Sequence, residues 1–368
     1  MDERVRDHAE VIVDHSTGIE ADDNVLLEIP PAAQDLAEAI AELVGARGAT
    51  LYTAYGNNPH RNDPITRNYL QGAETDEIET PEHQRELYKT TDVVIFVRGE
   101  RNVTEWQSVS PSVHAAYQQA FEPLMGELLD GRSCATQYPT ASFAQLAEMS
   151  TDAYEDFVWD AINKDWDAQR EHQAQLVELL DGASEIRIQS GDTTDIRASI
   201  DGMPAANDYG ERNLPGGEVY TAPVVDSIEG QVLFDIPIYH EGREIENAHL
   251  TFEDGEVIAH DADRGTDVLA EILETDPGAR RVGELGFGMN RDIDRFTHNI
   301  LFDEKMGDTI HLALGHAYEW TVGENRKQNE SAVHVDLIVD MSENARIEID
   351  GELVQQNGYY VFEDGFEL

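Results

Sequence analysis

Residues 25–55 read VLLEIPPAAQDLAEAIAELVGARGATLYTAY, and their periodicity decides the class of the N-terminal half. VLLEI at 25–29 is a short apolar run that suits a buried strand. Pro30 and Pro31 end it. AAQDLAEAIAELVG at 32–45 then places apolar residues at helical spacing. Gly48 leads into a second apolar run, TLYTAY, at 50–55. Strand, helix and strand in that order point to parallel pairing, because a parallel return needs a crossover the length of a helix.

Working outward, the same alternation continues. VRDHAEVIVDH at 5–15 has helical spacing, DVVIFV at 92–97 reads as a third buried strand, and 112–130 reads as a helix. Residues 138–181 carry further helical stripes and close this part of the chain. The expectation is an α/β N-terminal Rossmann-like domain over 1–180. No Gly-rich dinucleotide fingerprint follows the first strand, where PPAAQD stands instead, so the fold brings no expectation of a nucleotide. From about residue 184 the texture changes. EIRIQ, DIRASI, QVLFDIPIY, AHLTFEDGEVIAH, HVDLIV and ARIEIDGELV alternate apolar with polar residues, and DG and EG pairs sit between strands as hairpin turns. A β-rich α+β domain is therefore expected over 181–368, with a helix at about 264–275. There is no internal repeat and no low-complexity linker.

Composition bounds the function. The chain of 368 residues carries 75 acidic against 25 basic residues, a formal net charge of -50, and only four lysines: Lys89, Lys164, Lys305 and Lys327. A surface this negative repels phosphate backbones, so neither nucleic acid nor an anionic membrane is an expected partner. Hydrophobic residues make up 40% of the chain and aromatics 8%, which separates it from an acidic disordered polymer. The remaining reading is a folded, halophilic protein whose self-repulsion is screened in concentrated salt, where the Debye length falls to about 3 Å. No apolar run approaches the ~18 residues of a membrane helix, and MDERVRDHAE is not a secretory leader, so a cytoplasmic location is expected. Cys134 is the single cysteine, which rules out an intrachain disulfide and any multi-cysteine zinc site.

Four polar segments interrupt the strand-like second half. The first is NLPGGEVYTAP at 213–223, in which Glu218 follows a Pro-Gly-Gly turn. The second is VGELGFGMN at 282–290, with Glu284 among glycines. The third runs from LFDEK at 301–305 to TIHLALGHAY at 309–318 and contains Glu304, His311 and Tyr318. The fourth is VHVDLIV at 333–339. On a strand, residues i and i+2 share a face, so His334 and Asp336 project together, away from Val333, Val335 and Leu337. An imidazole beside a carboxylate can hold a metal ion. Taken singly, each of these residues has an ordinary structural reading as a turn carboxylate, a polar edge or a hydrogen-bonded core histidine. Taken together, they supply the donors of a two-metal hydrolytic site.

In this order, the segments resemble the metal-binding motifs of the aminopeptidase T family of metallo-aminopeptidases. Glu218 matches the glutamate of the Pro-x-x-Glu-Val-(Phe/Tyr)-Thr-x-Pro pattern, and Glu284 matches that of the Gly-Glu segment. Glu304, His311 and Tyr318 match Phe-Asp-Glu followed by His-x-Ala-Leu-Gly-x-x-Tyr, and His334 and Asp336 match the closing His-x-Asp. One departure is Pro-Gly-Gly-Glu where Pro-Thr-Glu-Glu is usual, which removes a neighbouring acid. The resemblance implies two divalent ions (zinc, cobalt or magnesium) held by Glu218, Glu284, His311, His334 and Asp336. By the same resemblance Glu304 would serve as ligand or base and Tyr318 as donor to an oxyanion. It also implies a homodimer acting on peptide substrates. A ring-opening dioxygenase of dihydroxypyridine resembles the same family and uses one iron(II), for which His311, His334 and Asp336 suffice. A third reading is a non-catalytic metal-binding protein on the same scaffold. His298, His316 and Asp303 lie beside the motifs and are read as supporting or surface groups. Asn290 is read as shaping the Gly-rich loop, and Cys134 as a small buried residue.

Overall fold

The computed structural model describes residues 2–55, 63–129, 131–240 and 243–367. They form two compact units, Met1–Lys164 with Gly210–Gly216, and Asp165–Tyr209 with Gly217–Leu368.

The first unit is built on a five-stranded parallel sheet. Its order is Thr50–Ala54, Asn24–Glu28, Val93–Arg98, Arg132–Gln137 and Asn213–Leu214. Val25 pairs with Leu51 on one side and Val93 on the other, so the VLLEI run is an inner strand and is buried from Val25 to Glu28. The helix expected at 32–45 is present as a 3-10 turn, Pro31–Ala33, that runs into Gln34–Arg47. Its buried stripe of Leu36, Ala37, Ile40 and Val44 is the 3.6-residue pattern of the sequence. Glu3–Glu10, extended by a π turn over Val11–Ser16, and Pro111–Leu129 supply the other expected helices. Cys134 is buried on the fourth strand, as anticipated.

The expected helical stretch at 138–181 resolves into Ala141–Leu146, Thr151–Ile162 and Trp166–Leu180. The division between units falls before the last of these. Leu176 and Leu180 join the apolar core of the second unit, which explains why that helix lies beyond the break. A boundary at residue 180 therefore corresponds to the far end of this helix.

The second unit contains two large antiparallel sheets and a two-stranded ribbon of Ile238–His240 with Arg243–Ile245. The larger has eight strands in the order Glu256–Asp261, Ala248–Glu253, Glu229–Phe234, Thr194–Ser199, Glu185–Ser190, Ala345–Ile349, Glu352–Gln356 and Tyr359–Tyr360. The smaller has five, His334–Asp340, Thr309–Gly315, Val282–Gly288, Glu218–Thr221 and Ala205–Asp208. Ile188, Ile196, Val232 and Leu250 of the larger sheet share one core with Leu285, Phe287, Leu312, Leu337 and Val339 of the smaller. Because side chains alternate, the other residues of these smaller-sheet strands face away from that core. Those residues include Glu284, Gly286, His311, Ala313, His334 and Asp336. The helix Thr266–Leu273 stands where 264–275 was expected. Among the described residues, no helix is long and apolar enough to cross a membrane.

Candidate metal centre

Strand register assembles the site. Across the smaller sheet, Asp336 pairs with Ala313 and Ala313 with Glu284, which places two carboxylates on one row with a methyl between them. One row along, His311 lies opposite Gly286, and Gly286 opposite Tyr220. Beyond it, Gly288 pairs with Glu218, and in the other direction Gly315 pairs with His334. Each long polar side chain thus has a glycine or alanine as its neighbour. At Gly286 the spacing is obligatory, since a Cβ there would lie 2.0 Å from His311 Nε2. Gly217, with φ +117°, is fixed similarly: a Cβ would meet that of Asn290 at 2.5 Å. Asn290 is fully buried against this turn, which is the Pro-Gly-Gly turn and not the Gly-rich segment it is expected to shape.

The two histidines are oriented in the same manner. His311 Nδ1 lies 3.1 Å from the Glu304 carbonyl and His334 Nδ1 lies 2.9 Å from the His316 carbonyl. A backbone acceptor on Nδ1 makes that nitrogen the donor and turns Nε2 towards the site. His311 Nε2 stands 3.1 Å from Glu284 Oε1 and 3.3 Å from Glu218 Oε2, and His334 Nε2 stands 3.6 Å from Asp336 Oδ1. Ligand atoms of Glu218, Glu284 and His311 converge in one group, and those of Glu284, His334 and Asp336 in a second, each within 4.8 Å. Glu284 belongs to both. Glu304 belongs to neither. It is tied to the first through Lys305, whose ammonium lies 3.2 Å from Glu218 Oε1 and contacts Glu304 Oε1. Tyr318 packs its ring 5.0 Å from that of His334, stacks on Trp320 at 4.7 Å, and lies 6.2 Å from Tyr220.

Burial and charge set the electrostatics. Burial pushes the Glu218 carboxyl up to about 8, against the pull of Lys305 and His311. Burial opposes the charge on His311, but Glu284, Glu218 and Asp336 outweigh it and raise the imidazole to about 10. Burial likewise opposes the charge on His334, and Asp336 and Glu284 raise it. Burial holds the Tyr318 hydroxyl well above its ordinary value, with Glu284 and Asp336 adding to the effect. A concentration of carboxylates that raises both imidazoles is a site with unspent affinity for cations. Two oxygens make this concrete: Glu218 Oε2 and Glu284 Oε2 are buried and accept no hydrogen bond among the described residues. The donor set therefore fits divalent ions, with imidazole nitrogen and carboxylate oxygen in each group.

Some contributors went unread in the sequence. Lys305 stands beside Glu304 in the motif, and its only signal is the scarcity of lysine. Gln173, fully buried on Trp166–Leu180, donates to the carbonyls of Asp208 and Glu218 at 3.0 and 2.9 Å, and nothing in its helix marks it out. Asp303 is a buried support, accepting from the Thr297 and Asn299 amides. His298 packs between the rings of Tyr239 and Phe296.

Comparison with known proteins bears on this arrangement. Residues 1–366 match the family described as thermophilic metalloprotease (M29). The chain belongs to this family. It is 33% identical over 172 residues to Aminopeptidase 2 of Geobacillus stearothermophilus and 34% identical over 151 residues to Aminopeptidase T of Thermus aquaticus. These matches cover 41% and 38% of the chain, and only 40% and 36% of the two relatives. Among solved structures, AmpT from Thermus thermophilus superposes with a TM-score of 0.84 at 22% identity, over 97% of this chain and 99% of that one. A 2,5-dihydroxypyridine dioxygenase from Pseudomonas putida KT2440 superposes with a TM-score of 0.59 at 14% identity, over 98% of both chains. At these identities the structural likenesses speak to the fold, and the mixed α/β architecture is that of AmpT.

Proposed function

We propose that the chain is a metal-dependent aminopeptidase that releases N-terminal residues from peptides. The observation that carries this reading is the pair of ligand groups sharing Glu284. Glu218 and His311 complete one group, and His334 and Asp336 complete the other. Divalent ions held there (zinc, cobalt or magnesium) would supply Lewis acidity and bring the pKa of a bound water down to about 7. The protein's own groups do the rest. Glu304, tethered at the edge of the first group and 14% exposed, moves the proton from the water to the leaving amine. The Tyr318 hydroxyl stays protonated and donates to the oxyanion that develops on the scissile carbonyl. The carboxylates of the site offer an anionic seat for the substrate's free α-ammonium. Membership of the family and the likeness to named aminopeptidases support this reading. A cytoplasmic homodimer working in concentrated salt belongs to the same reading, supported by the motif resemblance and the composition.

The dioxygenase reading needs only His311, His334 and Asp336 around one iron(II). Glu218, Glu284 and His311 form a ligand group apart from that of His334 and Asp336, more donors than one ion needs, and this favours the peptidase. Hydrolysis of leucyl and arginyl amides, measured in high salt before and after chelation, tests the proposal. Turnover should vanish with the metal and return with cobalt or zinc. Hydrolysis that survives complete metal removal, or oxygen uptake on dihydroxypyridine in its place, would contradict it.

A further inference from the structure

Lys305 is fully buried, one of four lysines in the chain, and lies inside an acidic site. A buried ammonium is costly unless its charge and protons are met. Here Glu218 Oε1 at 3.2 Å and Glu304 Oε1 meet them. The backbone of Lys305 is equally fixed. The Lys305 carbonyl accepts from the Asn290 amide at 3.0 Å, and its own amide donates to the Phe302 carbonyl at 3.0 Å.

The consequence lies in which oxygens are left over. Glu218 gives Oε1 to Lys305, while its Oε2 faces His311 and accepts no hydrogen bond among the described residues. Glu304 is held by the same ammonium and stays outside both ligand groups. We infer that Lys305 is a positioning residue that apportions the carboxylate oxygens of this site. It restricts Glu218 to a single ligand oxygen and keeps Glu304 from becoming a ligand, so that Glu304 remains available to carry a proton. This rests on the peptidase reading and goes beyond it. Two carboxylates with the same chemistry take different roles because one cation sits between them.

The test follows from opposed effects. Lys305→Met keeps all but the terminal atom of the side chain's length and removes its charge, releasing Glu218 Oε1 and Glu304 to a bound ion. Cobalt should then bind at least about tenfold tighter, read by competition with a chromophoric chelator, a gain of about 1.4 kcal/mol. The kcat on leucine amide should fall about a hundredfold with KM nearly unchanged. A merely structural lysine would lose both affinity and turnover on removal. Cobalt binding in the variant that equals or falls below that of the wild type overturns the inference. Should the methionine variant fail to fold, Lys305→Gln, which keeps a donor without charge, is titrated in its place against the same criterion. The wild type serves as the control for the underlying reading. If it neither binds cobalt nor hydrolyses the amide, the peptidase proposal fails. If it does both and the variant binds no tighter, only the role of Lys305 is lost.

Discussion

At the scale of single residues, the site depends as much on what is missing as on what is present. The imidazole of His311 can occupy the space beside the neighbouring strand because residue 286 has no side chain, and a Cβ there would stand 2.0 Å from its Nε2. Gly286→Ala should displace His311, cost about 2–3 kcal/mol in denaturant unfolding as an overpacked core does, and reduce the metal retained after dialysis. Unaltered stability and metal content would show that the ring has room to move. Much of this was legible in the sequence. The i, i+2 spacing of His334 and Asp336 declared a shared face, and the glycines around Glu284 declared a close approach. Lys305 was not legible, because a lysine after two acids reads as an ordinary surface ion pair. Only the fold shows that its side chain turns inward, where it is fully buried.

At the scale of elements, strand register turned scattered motifs into one site, and helix placement was the harder inference. The stripe along residues 166–180 announces an amphipathic helix, but a stripe does not say which core it feeds. Leu176 and Leu180 feed the second unit, and from the same helix Gln173 reaches the carbonyls of Asp208 and Glu218 and the side chain of Asn207 at 2.7 Å. A buried donor removed from such acceptors leaves them unsatisfied, at about 1–3 kcal/mol. Gln173→Met should therefore destabilise the protein by about 2–3 kcal/mol and weaken cobalt binding, since the backbone carrying Glu218 loses its tether. The paired readout is a urea melt and a metal titration on the same sample. A variant with wild-type affinity would show that the strand Glu218–Thr221 is held by its ladder alone.

At the scale of the whole molecule, charge dominates. With 75 acidic against 25 basic residues, like-charge repulsion opposes compaction wherever it is not screened. Ion pairs such as Arg4 with Asp2, Arg187 with Asp195 and Arg281 with Glu256 use some of the cations, but acids outnumber them three to one. Raising salt from about 0.1 M to about 3 M should shorten the screening length from about 10 Å to below about 3 Å. We expect the melting temperature to rise by about 10 °C or more across that range, equivalent to a few kcal/mol for units of this size. A melting temperature independent of salt would mean that the acidic excess serves solubility alone. Composition made this expectation readable without any structure. It could not reveal that Lys305 is fully buried against Glu218 and Glu304.

Two ligand groups meet at Glu284. The direct measurement is elemental analysis of wild type and Glu284→Gln, each purified in high salt and dialysed against a single divalent metal. Two ions per chain in the wild type and none in the variant is the predicted result, because the shared carboxylate serves both groups. One ion in each protein, or two in the variant, would contradict the account.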